Sequence, residues 1–319
     1  MSLLTLFLLY LFAIFILAAI ISVALFRYRM KRRGMISRSL NLELIAVRFV
    51  SEPPAQEQTI QQIREKIALM EQFYSNLFLI KDSWRKSLLW GKPVFALELT
   101  IPSVGEELSF YIAVPRRFLE AVIKIIHGIF PDAHVEETRD YNIFNPDGVS
   151  LGSRARFARG KYYPVKTYQK LEGDPMKALT NVFTQLEKAG EGAALQIIAR
   201  PAAKKWKNEL TKRAQNLFRG KTGESALAHS LHTLGAEQSQ EARAKEERAR
   251  ETKRLTPREE ELVRTLEAKA GKSLFEANIR LLASAKTKER TEAILQGLEI
   301  AFAQFTDPNT NSFEFERLK

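Results

Sequence analysis

The stretch Leu3–Phe26 reads LLTLFLLYLFAIFILAAIISVALF and contains no charged side chain. A helix of this length covers about 36 Å, which exceeds the ~30 Å hydrocarbon core of a bilayer. A cleaved signal peptide would need a basic start, an apolar run of about 7–15 residues and a small-residue cleavage site, and the sequence has none of these. Residues 1–26 are therefore predicted to form an uncleaved transmembrane helix.

The residues after this helix predict its orientation. The flank 27–38 contains five basic residues, whereas no charged side chain precedes the apolar run; the five are Arg27, Arg29, Lys31, Arg32 and Arg33. Basic flanks stay in the cytoplasm. We therefore expect a single-pass protein of the cytoplasmic membrane, with its amino terminus outside and everything after the flank in the cytoplasm.

Composition restricts the chemistry of the remaining chain. The 319 residues include no cysteine, which excludes disulfides, thiolate metal sites and cysteine nucleophiles. The net charge of +12 is concentrated, because residues 154–170 contain no acid and residues 200–221 contain only Glu209. Concentrated positive charge attracts anionic lipid or nucleic acid.

Hydrophobic periodicity predicts an α+β fold with two ferredoxin-like (βαββαβ) modules, each with two helices on one face of a four-stranded antiparallel sheet. Module 1 spans residues 39–145 and module 2 spans residues 146–319. Strands are predicted at Ser153–Arg159 and Tyr162–Tyr168 in module 2. A helical insertion at residues 202–272 is predicted between two strands of that module that would otherwise form a hairpin.

Motifs for catalysis are weak. Gly220-Lys221-Thr222 lacks the first glycine of a phosphate-binding loop, since position 215 is Gln215. His229 and His232 are spaced for one helix face, but two histidines alone make a poor metal site. We expect neither enzymatic activity nor a cofactor or metal.

Two basic stretches remain as candidate binding residues. Basic and aromatic residues alternate in both, a pattern that can hold a phosphate backbone and stack bases. The competing interpretations are ordinary solvated faces, with some arginines paired to acids, and contact with anionic lipid. The candidates are Arg154, Arg156, Arg159, Lys161, Tyr163, Lys166, Lys204, Lys205, Trp206 and Lys207.

Several segments resemble a known family. They are EKIALMEQFYS (Glu65–Ser75), FYIAVPR (Phe110–Arg116), FPDA (Phe130–Ala133), NIRLLAS (Asn278–Ser284) and AFAQF (Ala301–Phe305). Together with the anchor they resemble the amino-terminal, non-ATPase region of membrane-anchored ATPases of the coupling type from bacterial type IV secretion and conjugative DNA transfer. No Walker motif is present, so motor activity does not carry over.

The resemblance implies a noncatalytic assembly component of a type IV secretion-like or conjugative DNA-translocation machine in the bacterial inner membrane. It would work with an ATPase motor in trans or as a homo-oligomer, or be a fragment of such an ATPase. Its basic surface would face single-stranded DNA or the motor. The alternatives are a structural membrane scaffold that self-associates without binding nucleic acid, and a peripheral lipid-sensing role.

Overall fold

The computed structural model describes residues 3–39, 41–49, 59–83, 86–87, 91–101, 108–171, 173–186, 190–218 and 255–318. In these ranges the α-helices are α1 (Leu3–Ser39), α2 (Ile60–Leu79), α3 (Leu119–Ile129), α4 (Pro175–Thr184), α5 (Lys204–Phe218), α6 (Pro257–Gly271) and α7 (Lys288–Ala301). The strands are β1 (Leu42–Phe49), β2 (Phe95–Thr100), β3 (Ser109–Pro115), β4 (Ala133–Thr138), β5 (Val149–Phe157), β6 (Gly192–Pro201), β7 (Phe275–Ala285) and β8 (Phe313–Arg317). The predicted α+β class is confirmed.

Helix α1 contains the apolar run. Its segment Phe7–Phe26 has a mean hydropathy of 2.9, and none of it is buried against the described chain. Length and composition allow this segment to cross a membrane, a property that anchors and signal sequences share. The helix does not end at the basic flank but continues to Ser39, just before β1.

The strands form a single antiparallel sheet in the order β4-β1-β3-β2-β6-β7-β5-β8. Each half of the chain contributes four strands, arranged in the order fourth, first, third, second. The second strands of the two halves, β2 and β6, pair with each other, and Leu97 lies opposite Ile197. This pairing joins the halves into one continuous sheet, which the sequence pattern did not predict.

One face of the sheet is covered by helices. Helices α2 and α3 enclose a core with the first half, formed by Ile45, Val47, Phe73, Leu77, Phe95, Ile112, Val114, Val122, Ile126 and Ala133. Helices α4 and α7 enclose a core with the second half that includes Leu179, Phe183, Ala193, Leu195, Leu281, Ala283, Ile294, Leu295 and Leu298. Alternate strand residues point into both cores, as the period-two pattern predicts.

The segment between β4 and β5 crosses the opposite face and links the two halves. The ring of Tyr141 stacks on Tyr111 with centroids 4.8 Å apart, and its hydroxyl donates a hydrogen bond to Glu98. Burial, followed by this bond, raises the pKa of Tyr141. A Cβ on Gly192 would lie 2.1 Å from the carbonyl oxygen of Ile143. Only glycine therefore allows the segment to pass so close to β6.

Strand directions decide which connections lie together. Strands β1 and β2 run the same way because both are antiparallel to β3, and β6 runs against them. The start of β1, where α1 ends, therefore shares one end of the sheet with the end of β6. The end of β5 lies there too, since β5 and β6 are both antiparallel to β7. We call this the α1 end of the sheet.

Helices α5 and α6 belong to the connection between β6 and β7 and pack together as an antiparallel hairpin at the α1 end. The hairpin has a small core of its own, formed by Leu210, Ala214, Val263, Leu266 and Ala270. Thr256 caps α6 by accepting a hydrogen bond from the backbone N–H of Glu259, whose carboxylate bonds back to the N–H of Thr256. The described part of the predicted helical insertion at residues 202–272 thus contains these two helices.

The strand predicted at Tyr162–Tyr168 is wrong. These residues follow β5 as an irregular segment, and β5 is the first strand of the second half. The side-chain amide of Asn311 donates to the carbonyl oxygens of Gly160 and Tyr163, at 2.8 and 2.7 Å. Pro164 has no N–H to offer a neighbouring strand. Backbone carbonyls of this segment therefore accept hydrogen bonds from a side chain, and the segment does not pair with a neighbouring strand.

Candidate functional site

The predicted binding residues occupy three different places in the structure. The first group lies on β5, on the sheet face opposite the helices, and consists of Arg154 and Arg156. The second group lies in the segment after β5 and consists of Arg159, Lys161, Tyr163 and Lys166. The third group begins α5 and consists of Lys204, Lys205, Trp206 and Lys207.

The β5 arginines are matched by acids on the neighbouring strand. Arg154 Nη2 lies 2.8 Å from Glu316 Oε2, and Arg156 Nη2 lies 3.5 Å from Glu314 Oε2. The hydrogen bond from Arg154 lowers the pKa of Glu316. These are cross-strand pairs between β5 and β8, so the two arginines add little net positive charge to the surface.

Backbone bonds fix the positions of the second group. Asn311, which is 1% exposed, accepts a hydrogen bond from the N–H of Arg159 and donates to the carbonyl of Tyr163. The guanidinium of Arg159 donates to the carbonyl of Asn309, and the N–H of Lys166 donates to the carbonyl of Phe305. The segment after β5 is thereby tied to the residues that precede β8.

The second and third groups meet in what we call the basic–aromatic cluster, formed by Lys161, Tyr162, Lys205, Trp206 and Arg213. The ammonium groups of Lys161 and Lys205 lie 3.9 and 5.0 Å from the centroid of the Trp206 ring. The guanidinium carbon of Arg213 lies 3.7 Å from the Tyr162 centroid. The two rings are 6.3 Å apart. Cations from both stretches are therefore gathered around two aromatic rings.

The ring of Trp206 is also held at its edge. Its indole N–H donates to Glu276 on β7 over 2.8 Å, and Arg200 Nε donates to the same carboxylate over 2.7 Å. Burial pushes the pKa of Glu276 upward, but these two bonds and the charges of Arg200 and Lys92 together outweigh it and lower the pKa. The edge of this indole is therefore hydrogen-bonded and its face is in contact with lysine ammonium groups. An approaching ligand meets these ammonium groups before it meets the ring.

Four lysines of this region have no ion-pair partner in the part of the chain that the structure describes. No carboxylate there lies within 4 Å of the ammonium groups of Lys161, Lys204, Lys205 or Lys207. All four side chains are exposed. The nearby carboxylates of Glu209 and Glu276 accept hydrogen bonds from Tyr162 and Trp206 instead. A polyanion approaching the α1 end of the sheet therefore meets four ammonium groups that are not ion-paired.

Lys269 supports the cluster and was missed by the sequence analysis. Its ammonium group donates to the carbonyls of Lys161 and Tyr162, at 2.8 and 3.1 Å, and lies 5.7 Å from the Phe157 centroid. Burial lowers its pKa to about 8. Lys269 thus ties α6 to the segment after β5. Nothing in its sequence context distinguishes it from the exposed lysines.

Two weak motifs fall outside the described residues. Gly220-Lys221-Thr222 and the pair His229 and His232 both lie within residues 219–254, and so does most of the polar part of the predicted insertion. In the part of the chain that the structure describes, no group of three or more histidine, aspartate or glutamate side chains is arranged to hold a metal ion.

Comparison with known proteins gives a family and no activity. No curated protein matches the sequence. Residues 52–316, well over half of the chain, match a family described as a domain of unknown function, DUF8128. The match includes the basic–aromatic cluster and the hairpin of α5 and α6. The chain therefore belongs to the DUF8128 family.

Proposed function

We propose that this chain is a noncatalytic, membrane-anchored component of a DNA-translocation machine of the type IV secretion kind. Its basic–aromatic cluster would contact the phosphates of single-stranded DNA. The observation that carries the proposal is the meeting of two distant basic stretches in one cluster, in which the ammonium groups of Lys161 and Lys205 have no carboxylate within 4 Å among the described residues. Its expected partners are the lipid bilayer, an ATPase motor in trans and further copies of the chain.

The membrane part of the proposal rests on α1. A helix with 20 apolar residues followed by a basic flank is typical of a single-pass anchor whose flank is cytoplasmic. In this arrangement the sheet and its cluster lie in the cytoplasm of a bacterium, with the amino terminus across the inner membrane. The cluster would then face the compartment from which DNA is exported.

The fold part of the proposal is that each half is a ferredoxin-like module. The halves would span residues 39–145 and 146–319, the second with its insertion at 202–272. Two features support this assignment, namely the β-α-β-β-α-β element order and the fourth-first-third-second strand order of each half. The modules would be noncatalytic platforms that position the cluster near the membrane.

The geometry favours phosphate contacts over base contacts. Both rings of the cluster have cations of the same chain against them, whereas the ammonium groups of Lys161 and Lys205 are exposed. Lysine contacts to phosphate do not depend on sequence, and they weaken steeply with salt. Binding should therefore be indifferent to base composition, as a translocation machine requires.

The test uses the full chain in nonionic detergent and a fluorescent single-stranded oligonucleotide whose anisotropy is followed as salt is raised. The triple variant Lys161→Gln, Lys205→Gln, Lys212→Gln removes three exposed cations, of which Lys212 lies two helical turns after Lys205 on the same face of α5. For single strands the slope of log K against log salt falls by about 0.7 per lost phosphate contact, so the slope should fall by about 2.

The matched control is Lys177→Gln, Lys286→Gln, Lys288→Gln, which removes the same charge from α4 and from the start of α7. We expect it to bind like the parent chain. Equal affinities and slopes for the two triple variants would overturn the proposal. Oligomers that persist while DNA binding is absent would instead identify a self-associating scaffold.

A further inference from the structure

A second basic feature lies beside the start of α5. A cavity of about 660 Å³ is lined by described residues between positions 78 and 93, where the chain leads from α2 into β2, and by both ends of the connection from β6 to β7, at the start of α5 and just after α6. Five lysines line it, contributed by three separate parts of the chain: Lys81, Lys92, Lys204, Lys207 and Lys272. Lys204 and Lys207, three residues apart on α5, share one helix face, while Lys205 points about 100° away from Lys204 and about 160° away from Lys207. The third group of predicted residues is thus divided between this cavity and the cluster.

The acid in the cavity wall is already neutralised. Among the described lining residues the carboxylate is that of Asp82, whose side chain is 3% exposed. Arg117 donates to both of its oxygens, at 3.1 and 2.6 Å. The negative charge of Asp82 is therefore neutralised by Arg117, and it does not neutralise the lysines that line the cavity.

The lysines differ in how firmly they are placed. Lys92 donates to the carbonyl of Pro201 over 3.1 Å, and Lys272 is paired with Glu71. Lys81, Lys204 and Lys207 have no carboxylate within 4 Å in the described ranges. Two ammonium groups are thus held by the fold, and three are left to meet a ligand.

The backbone adds to the same field. Residues Ala202 and Ala203 precede α5 at the cavity wall, and neither side chain can accept a hydrogen bond from the first turn. The amino-terminal end of a 15-residue helix carries a partial positive charge. This partial charge has the same sign as the lysine ammonium groups and strengthens the attraction of the cavity for an anion.

From these features we infer that the cavity is a binding site for a phosphate-bearing small molecule. Lysine ammonium groups at a helix start are a recurring arrangement for phosphate. The volume exceeds what a phosphate needs, and Phe78, Ile80 and Leu274 supply apolar wall for an attached organic group. The site is distinct from the DNA-binding surface and does not depend on it.

Two sources can supply this chemistry, a soluble phosphate compound or a lipid headgroup. Helix α1 continues for 13 residues beyond Phe26. At about 1.5 Å per residue, an upright helix places the α1 end of the sheet about 20 Å from the hydrocarbon. A soluble compound reaches the cavity at any tilt of α1, and a lipid phosphate reaches it only when α1 tilts steeply.

The experiment titrates the full chain in nonionic detergent with pyrophosphate by calorimetry. In parallel, native mass spectrometry counts cardiolipin and phosphatidylcholine molecules retained by the chain. The first variant is Lys81→Gln, Lys204→Gln, Lys207→Gln. The second is Ala203→Asp, which places a carboxylate at the cavity wall in the position that caps α5. Aspartate there stabilises a helix, so this variant should remain folded.

We expect both variants to weaken pyrophosphate or cardiolipin binding at least tenfold, while the control Lys177→Gln, Lys286→Gln, Lys288→Gln leaves it unchanged. Loss in the calorimetric arm identifies a soluble phosphate, and loss in the lipid arm alone identifies a headgroup. Binding that is absent in the parent chain, or equal in parent and variants in both arms, overturns the inference. The variant Lys161→Gln, Lys205→Gln, Lys212→Gln changes no residue that lines the cavity and should bind pyrophosphate or cardiolipin like the parent chain, so the two proposals fail separately.

Discussion

The two halves of the sheet differ most in the connection between their second and third strands. In the first half, residues 101–108 join β2 to β3, whereas in the second half residues 202–274 join β6 to β7. The strand order of the halves is otherwise the same. The long connection contributes the α5–α6 hairpin, and with it Lys205, Trp206 and Arg213 of the basic–aromatic cluster and three lysines of the cavity.

The pairing of β2 with β6 explains why this difference matters. Because these strands are antiparallel, corresponding connections of the two halves lie at opposite ends of the sheet. The connection after β2 lies far from α1, and the connection after β6 lies beside it. A second half added in the same direction as the first would have carried its hairpin to the far end. The antiparallel joint brings the basic surface to the end of the sheet at which α1 enters.

The hairpin is an addition to the sheet with a core of its own, and we expect it to unfold independently of the sheet. Leu266 is 1% exposed in the hairpin core, and Leu295 is 0% exposed in the core under α7. Replacing either by alanine should cost about 2–5 kcal/mol. Leu266→Ala should speed hydrogen exchange in α5 and α6 while β6 and β7 stay protected, and it should abolish DNA binding.

Leu295→Ala is the matched variant, since it removes the same atoms from the main core. In this variant the rate of backbone hydrogen exchange should rise throughout the second half of the sheet, and the thermal midpoint of unfolding should fall. Mass spectrometry of peptides from each element distinguishes the two patterns. Equal acceleration of the sheet by Leu266→Ala would show that hairpin and sheet unfold as one unit, which contradicts the comparison.

The attachment of the hairpin to the segment after β5 should depend on pH through Lys269. Its pKa is lowered to about 8 from the ordinary 10.5 because the ammonium group is buried. Between these values the unfolded chain binds more protons at this residue than the folded chain does. The free energy of unfolding should therefore rise with pH across that window, by about 1–3 kcal/mol, and be lowest below pH 8.

Lys269→Met isolates this effect. The difference in stability between the parent chain and the variant cancels the contributions of the other titrating groups, because both proteins contain them. Thermal midpoints followed by circular dichroism from pH 7 to pH 10.5 measure the difference. The parent chain should gain stability relative to Lys269→Met as pH rises. A flat difference, or one of opposite sign, would mean that the ammonium group is as well solvated in the folded chain as in the unfolded one.

The sequence predicts those features that depend on local spacing. Leu3–Phe26 is apolar without interruption, and the alternation of Phe275–Leu281 matches its place in β7. The pairing of β2 with β6 is not encoded in this way, because a period of two says which face a residue occupies and nothing about the neighbouring strand. Tyr162–Tyr168 shows the same limit, since the carbonyl of Tyr163 accepts a hydrogen bond from Asn311, 148 residues away.

The structure groups the predicted binding residues differently from the two basic stretches of the sequence. The separation of Lys205 from Lys204 and Lys207 follows from helical geometry once α5 is known, because Lys205 points about 100° from Lys204 and about 160° from Lys207. The pairing of Arg154 with Glu316 does not, because 162 residues separate them and only the neighbouring positions of β5 and β8 bring them together. Charge runs therefore locate a basic surface, while the acids that cancel it depend on the fold.

The smallest expected effect concerns that cross-strand pair and completes the comparison of the two basic regions. Arg154→Gln should lower the free energy of unfolding by less than about 1 kcal/mol, because both partners are about half exposed. It should leave the salt slope of DNA binding unchanged, since Glu316 already cancels the charge that it removes. Lys205→Gln deletes the same charge from the cluster and should reduce the slope by about 0.7. Anisotropy titrations of the two single variants make the comparison directly, and a slope change as large for Arg154→Gln as for Lys205→Gln would show that the open face of β5 and β8 belongs to the binding surface after all.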